Sequence, residues 1–326
     1  MFSRSVLDID TAKTATDIAA KLKKAVLGDL KKKGLVVGIS GGIDSSASVS
    51  LAVKALGPDK VFGVFMPERD SSDDSLRLGQ LLAKKLGIKT ELEKLAPALE
   101  GAGCYRRQLE AIRMVFPEYG DGWKCKITLP SILESDRLNF YMLTVQNPGG
   151  EVKSERMPLG AYLQLVAATN FKQRMRKMME YYHADRLNFA VVGTPNRLEY
   201  DQGFFVKHGD GTADVKPIAH LYKTQVYAVA KELGVPDEIL ARPPTTDTYS
   251  MPQGQDEFFF ALPYDKMDLC LWAHNHKVAA AEVAPVVGIT AEQVERVFRD
   301  IESKRRGTAY LHAAPILMEP VAEVHA

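Results

Sequence analysis

Apolar residues recur along this chain in two alternating rhythms. Ile18, Leu22, Val26 and Leu30 fall at helical spacing, which predicts a helix from about Thr11 to Lys32 with Gly34 as its stop. An unbroken apolar run, Leu35-Val36-Val37, then reads as a buried strand. The alternation continues with a strand at Val61-Phe62-Gly63-Val64-Phe65-Met66, a helix from Ser75 to Leu86 stopped by Gly87, and a short strand from Lys89 to Leu92. Further along come a long helix around Ala161 to Tyr182, a strand at Phe189-Ala190-Val191-Val192 and a helix from Lys223 to Leu233. Apolar strands alternating with amphipathic helices predict an α/β fold, a doubly wound parallel sheet with helices on both faces. Ligands of such a sheet sit at the carboxyl ends of its strands.

The rhythm fails between roughly Gly103 and Pro158. There Trp123 to Leu129 and Leu138 to Val145 read as strands, and Asn147-Pro148-Gly149-Gly150 reads as a turn. Residues 103–158 are therefore expected to form a β-rich insertion. After Tyr264 the pattern is helical, ending in Lys304-Arg305-Arg306 and a proline-containing tail. The expected organisation is a main unit over residues 1–265 carrying the insertion, and a helical C-terminal extension over 266–326.

Composition narrows the class of function. With 326 residues, 46% of them hydrophobic and 25% charged, the chain can bury a sizeable core. A net charge of +1 argues against a broad nucleic-acid surface, and no membrane-spanning run or signal-peptide core is visible. A cytoplasmic protein without membrane or nucleic-acid partners is expected. Cys104, Cys125 and Cys270 are odd in number and widely spaced, so neither a disulfide framework nor a zinc site is indicated. His208, His220, His274 and His276 likewise have no ligand partner at convincing spacing.

The chemistry concentrates at Gly38-Ile39-Ser40-Gly41-Gly42-Ile43-Asp44-Ser45-Ser46, a glycine turn between a strand and a helix start. Glycines let the main chain approach phosphate oxygens, and the N–H groups of the first helical turn point at the anion. The turn lacks the lysine of a Walker loop and the Gly-x-Gly-x-x-Gly spacing of a dinucleotide fold. Asp44 would repel a polyphosphate unless a cation lay between them, which points to Mg²⁺. Val192-Gly193-Thr194-Pro195-Asn196-Arg197-Leu198-Glu199 follows another strand, so Glu199 is expected to face Asp44 at the same sheet edge. Two carboxylates approaching one triphosphate suit an octahedral Mg²⁺ that keeps some of its waters.

The Ser-Gly-Gly-x-Asp-Ser turn resembles that of the pyrophosphatase-loop ATP enzymes, which release pyrophosphate and leave AMP on a substrate. The run from Gly193 to Val226 narrows the resemblance, with Asn170-Phe171-Lys172-Gln173-Arg174-Met175-Arg176 before it and Pro244-Thr245 plus Gln255-Asp256-Glu257 after it. In order and spacing the chain resembles the ammonia-dependent NAD synthetase family over most of its length outside the insertion. That resemblance implies ATP-dependent amidation of nicotinate adenine dinucleotide, through an acyl-adenylate attacked by ammonia, with AMP and pyrophosphate released.

By position, the resemblance implies ATP contacts from Gly38, Ile39, Ser40, Gly41, Gly42, Ile43, Asp44 and Ser45, and from Thr194, Lys223 and Thr245. Asp44 and Glu199 would hold Mg²⁺; Arg174, Lys207, Asp214 and Lys304 would contact the dinucleotide; Asp44, Lys223 and Asp210 would be catalytic. It also implies a homodimer, and ammonia drawn from solution or from a separate glutaminase. The chain departs from the family pattern at Thr246-Asp247-Thr248, at Ser303-Lys304 and in the insertion, which is expected to border the acceptor site. The alternative within the same chemistry is an amidotransferase acting on a different small carboxylate. A tRNA-modifying enzyme would be expected to show catalytic cysteines or an RNA-binding extension, and a non-catalytic nucleotide module would not need Asp44, Glu199, Lys207, Asp210 and Lys223 together.

Overall fold

The computed structural model describes residues 2–128, 141–244, 249–251, 253–254, 259–260 and 262–321. Its elements run α1 (Thr11–Lys24), β1 (Leu35–Gly38), α2 (Ile43–Leu56), β2 (Val61–Phe65), α3 (Asp73–Leu86) and β3 (Lys89–Leu92). Then come α4 (Ala96–Gly101), α5 (Cys104–Arg113), β4 (Lys124–Thr128), β5 (Met142–Gln146), β6 (Val152–Arg156), α6 (Leu159–Leu187) and β7 (Ala190–Val192). The chain continues through α7 (Arg197–Gln202), α8 (Lys223–Glu232), α9 (Asp237–Leu240), α10 (Tyr264–Asn275), α11 (Ala280–Val287) and α12 (Ala291–His312).

The expected α/β architecture is present. Four parallel strands lie in the order β3-β2-β1-β7, with Leu35 of β1 opposite Val61 of β2 and Ala190 of β7. Successive side chains of β1 point to opposite faces, as the pleat requires. Leu35 and Val37 enter a core with residues of α1, α2, α3 and α8; Val36 packs with Phe62, Val64, Val191 and Ala184 of α6. Helices thus cover both faces, and burial of these chains is the main force holding the layers together. β3 is an exception among the predicted strands, because Lys89, Thr90, Glu91 and Leu92 are all exposed along the sheet edge.

Element boundaries follow local chemistry. Asp10 caps α1 by accepting the Lys13 N–H, and the regular helix ends at Lys24, short of the expected Lys32. A wider turn then takes over, with Leu30 N–H bonded to the Ala25 carbonyl. Ser72 caps α3, which ends at Gly87 in the left-handed conformation (φ 68°).

The insertion is not β-rich from its start. It opens with α5, whose Ala111 and Ile112 are buried, and only then forms an antiparallel sheet in the order β4-β5-β6. The predicted strands from Trp123 and from Leu138 correspond to β4 and β5; Leu129 and residues 138–140 lie outside the described residues. Cys125 and Ile127 of β4 and Leu143 and Val145 of β5 pack on Ala161 and Leu165 of α6. C-terminal helices α10 to α12 share a core with Phe2, Leu7, Leu198 and Tyr222, so packing is continuous across residue 265. Among the described residues, no helix is long and apolar enough to cross a membrane.

Candidate functional site

β1 and β7 are neighbours, so the turns that leave their carboxyl ends open side by side. The first is the phosphate-type turn. Its conformation depends on glycine: Gly41 has φ 73°, and a Cβ there would lie 2.3 Å from the main-chain oxygen of Ser75. A Cβ on Gly38 would lie 2.7 Å from Glu180 Oε1. Serines brace the loop from within, with Ser40 Oγ 3.0 Å from Ser45 Oγ, and Ser45 and Ser46 hydroxyls donating to the Gly42 carbonyl. Asp44 then occupies the first turn of α2.

The second turn carries Asn196 and Glu199. Asn196 caps α7 by accepting the Leu198 and Glu199 N–H groups, while Glu199 Oε2 accepts the Asn196 N–H at 3.1 Å. The free end of the same amide donates to Asp44 Oδ1 at 3.3 Å, so Asn196 ties the two turns together. Lys223, the first residue of α8, is 1% exposed and donates its ammonium to Asp44 Oδ2. α8 is fixed in turn by Asp268 of α10, which accepts the Lys223 and Thr224 N–H groups at 3.1 and 2.7 Å.

Electrostatics follow from this arrangement. Burial, reinforced by the neighbouring Asp44 charge, pushes the Glu199 carboxyl up to about 8 despite the Lys223 ammonium and the Asn196 N–H. Burial alone would lower the Lys223 pKa, but Asp44 and Glu199 outweigh it and raise it. Lys223 is therefore a fixed cation paired with the Asp44 carboxylate, beside a Glu199 carboxyl whose hold on its proton is strengthened. Among the described residues no group of three or more His, Cys, Asp or Glu could hold a metal. A cation here would take only Asp44 and Glu199 from the chain and its remaining oxygens from phosphate and water, a donor set that fits Mg²⁺.

These groups border one cavity of about 570 Å³, a size suited to small-molecule ligands. Gly38, Ile39, Ser40, Gly42, Ile43, Asp44, Ser45, Thr194, Glu199 and Lys223 line it, as do Arg174, Lys207 and Asp210. Gly41 is not among the lining residues and lies against Ser75. Arg174 donates to the Lys207 carbonyl at 3.2 Å, and Asp210 Oδ1 accepts the Val206 N–H at 2.8 Å. The Lys207 ammonium holds the carbonyls of Tyr310 and Ala313 at the end of α12, at 2.7 and 3.0 Å. Two predicted dinucleotide contacts are not brought to the cavity wall. Asp214 accepts the Val191 N–H at 2.7 Å, and Lys304 donates to the Phe259 carbonyl and to Asp300 at 2.7 and 2.5 Å. Thr245 and residues 246–248 and 255–258 lie outside the described residues.

Sequence reasoning missed several cavity residues. Lys177 and Glu180 of α6, paired at 2.6 Å, line the cavity with Glu180 against Gly38, and their spacing of three was the available signal. Arg242 clamps the Ser72 and Ser75 hydroxyls at 3.2 and 2.9 Å, and Tyr141, Tyr162 and Tyr249 form a separate aromatic wall. The thiols give no sign of nucleophilic use: all three are buried, and burial pushes Cys125 up to about 11 and Cys270 up to about 12.

Comparison with known proteins agrees with this geometry. The NAD synthase family pattern matches residues 15–110 and 141–307. The chain is 60% identical to the NH(3)-dependent NAD(+) synthetase of Mesorhizobium japonicum, over 98% of this chain and 100% of that one. It is 56% identical to that of Rhizobium meliloti, over 99% and 97% respectively. Among solved structures, the NMN synthetase of Francisella tularensis superposes with a TM-score of 0.64 at 21% identity, covering 95% of this chain and 99% of that one. The NH3-dependent NAD synthetase of Campylobacter jejuni gives 0.61 at 19%, covering 96% and 100%. At those identities the two structures speak for the fold alone.

Proposed function

The chain belongs to the NAD synthase family, and on that premise we propose how its residues perform the ATP-dependent amidation of nicotinate adenine dinucleotide to NAD. The observation that carries the reading is the buried Lys223–Asp44 pair, tied through Asn196 to Glu199 at the mouth of a glycine turn. A site built to bind ATP without chemistry gains nothing from two carboxylates facing a polyphosphate. A site that must steady a departing pyrophosphate does.

The substrate carboxylate attacks the α phosphorus of ATP, pyrophosphate leaves, and ammonia displaces AMP from the acyl-adenylate. In this proposal Gly38 to Ser45 hold the β and γ phosphates, and Thr194 and Lys223 add contacts from the neighbouring turns. Mg²⁺, held by Asp44 and Glu199, would neutralise charge on the phosphate oxygens when bound. Lys223 supplies a permanent positive charge on the leaving-group side, already desolvated and needing no reorganisation as charge develops. No side chain has to form a covalent bond. Positioning both reactants in one cavity removes much of the entropic cost of the two steps.

Arg174, Lys207 and Asp210 are proposed to meet the acceptor, since all three border the cavity. Asp214 and Lys304 are assigned instead to holding β7 and α12 in place. The proposal includes a cytoplasmic enzyme working as a homodimer, fed with ammonia from solution or from a separate glutaminase; three buried free thiols support a reducing compartment.

The test is product analysis. Purified protein incubated with ATP, Mg²⁺, ammonium and nicotinate adenine dinucleotide should yield NAD, AMP and pyrophosphate in equal amounts. ADP and orthophosphate as primary products would overturn the mechanism, and turnover of another carboxylate in preference to the dinucleotide would overturn the substrate.

A further inference from the structure

The segment from Asn170 to Arg176 of α6 carries Arg174 to the cavity, yet Lys172, in its middle, does not line it. Its ammonium is buried in a cluster with the loop that joins β2 to α3. Lys172 Nζ donates to Glu68 Oε1 at 3.1 Å and to Asp70 Oδ2 at 2.5 Å, and the three side chains are 2%, 0% and 8% exposed. Tyr105 of α5 closes the cluster. Its hydroxyl donates to Glu68 Oε2 at 2.9 Å and accepts the Arg69 N–H at 3.2 Å, while the Arg69 guanidinium lies 3.9 Å over its ring. Burial alone would raise the Asp70 pKa, but Lys172 and Arg69 outweigh it and hold it below its usual value.

Three charges taken out of water are a weak device for stability, because apolar side chains of similar size often do as well or better. What they fix is an arrangement. Glu68 and Asp70, two residues apart, converge on a single ammonium, which pins the loop to α6. The same loop then builds the cavity wall. Glu68 N–H donates to Ser71 Oγ at 3.1 Å, Arg176 of α6 reaches the Met66 carbonyl and Ser71 Oγ at 3.5 Å each, and Ser72 caps α3. Ser71, Ser72 and Ser75 line the cavity, whereas Lys172, Glu68, Asp70 and Tyr105 do not. α3 is in turn what the phosphate turn lies against. A Cβ on Gly41 would lie 2.3 Å from the Ser75 carbonyl oxygen, and a Cβ on Gly79 would lie 3.2 Å from Ile39 Cγ2.

We propose that Lys172 is a positioning residue for ATP: by holding Glu68 and Asp70 it sets the loop between β2 and α3, and through α3 the shape of the phosphate turn, without meeting any ligand itself. The proposal rests on ATP being held by Gly38 to Ser45 as given under Proposed function. It separates the placing of the turn from the pair that faces the phosphates, Lys223 and Asp44.

Calorimetric titration of the full chain tests it, with Mg-ATP and nicotinate adenine dinucleotide as separate probes and urea unfolding alongside. Lys172→Met leaves two buried carboxylates without their cation, so it should lose stability and should weaken Mg-ATP binding about tenfold. The combined variant Lys172→Met, Glu68→Gln, Asp70→Asn removes all three charges and should recover part of the stability, because no buried charge is left unpaired. Its Mg-ATP affinity should stay about tenfold weak, since nothing draws the loop to α6, and its dinucleotide affinity should stay within about twofold of wild type. A merely structural role predicts the opposite, with ATP affinity returning as stability returns. Where neither variant folds, Asp70→Asn keeps the Lys172 and Glu68 charges balanced and loosens one anchor, and it should weaken Mg-ATP binding about threefold. Wild-type ATP affinity in a folded variant, or an equal loss for the dinucleotide, overturns the role of Lys172 and leaves the proposed chemistry standing. Wild-type protein that does not bind Mg-ATP overturns both.

Discussion

Lys223 and Asp44, 179 residues apart in sequence, close a buried ion pair that joins the first turn of α8 to the first turn of α2. The pair does two jobs at one point. It locks two helices over the sheet edge, and it holds a positive charge where the leaving pyrophosphate is proposed to form.

Removing one partner should therefore be worse than removing both. Lys223→Met leaves Asp44 and Glu199 facing each other without compensation and should cost about 3 kcal/mol of stability in urea unfolding. The double variant Lys223→Met, Asp44→Asn should recover part of that loss while remaining at least about a hundredfold slower in adenylation. Strictly additive stability losses would show that the pair is not coupled.

Glycine at position 41 is required by space as well as by its backbone angle. Gly41→Ala meets the Ser75 carbonyl at 2.3 Å, whereas Gly288→Ala, at the same φ of 73°, meets nothing within 4 Å. The control should cost about 1–2 kcal/mol from left-handed strain alone. Gly41→Ala should cost more and should also weaken ATP binding, because the loop must move to relieve the clash. Equal melting temperatures for the two variants would place the loop somewhere other than against Ser75.

Asp44→Asn and Glu199→Gln address the proposed cation. The glutamine can still accept the Asn196 N–H, so the α7 cap should survive and thermal stability should stay close to wild type. The Mg²⁺ concentration needed for half-maximal AMP formation should rise about tenfold or more in each variant. A superimposable magnesium titration for both variants would remove these two residues from metal binding.

Asp268 gives a pH signature. Its burial, which outweighs the Thr224 and Lys223 N–H bonds and the Lys223 charge, raises its pKa to about 6. Because the folded value lies above that of an unfolded aspartate, about 3.9, its stability contribution is full below pH 4 and is lost as pH rises through 6. Between pH 5 and 7.5 the wild type should lose about 1 kcal/mol more than Asp268→Asn, measured by urea unfolding. Parallel pH profiles for the two proteins would mean that Asp268 is ionised throughout.

What could be read from sequence alone was the part encoded in neighbouring residues. The glycine turn, the strands around it and the capping segment ending in Glu199 each carry their chemistry within about ten positions, so the facing of Asp44 and Glu199 was legible. Asp268 was not, because an aspartate in an apolar helix does not announce that it will accept the N–H groups of Lys223 and Thr224. β6 was missed for a different reason: Val152, Lys153, Ser154, Glu155 and Arg156 are all exposed, so no alternation marks the strand. Lys304 was assigned to the dinucleotide by resemblance of position, and its bonds to Asp300 and the Phe259 carbonyl are contacts that no local pattern marks. Helix α5 did leave a trace, in Cys104, Tyr105, Gln108, Ala111 and Ile112, which turn inward at helical spacing.

The grip of Lys207 on the final carbonyls of α12 gives the carboxyl end of the chain a say in the site. Lys207 holds Tyr310 and Ala313 by their main chain, its own carbonyl is held by Arg174, and Tyr310 and Leu311 line the cavity. Any change that pulls on the tail is passed through one lysine to Arg174, which also borders the cavity. The last helix is thus a working part of the pocket, and an affinity tag or fusion partner is better attached at the amino end than immediately after His312.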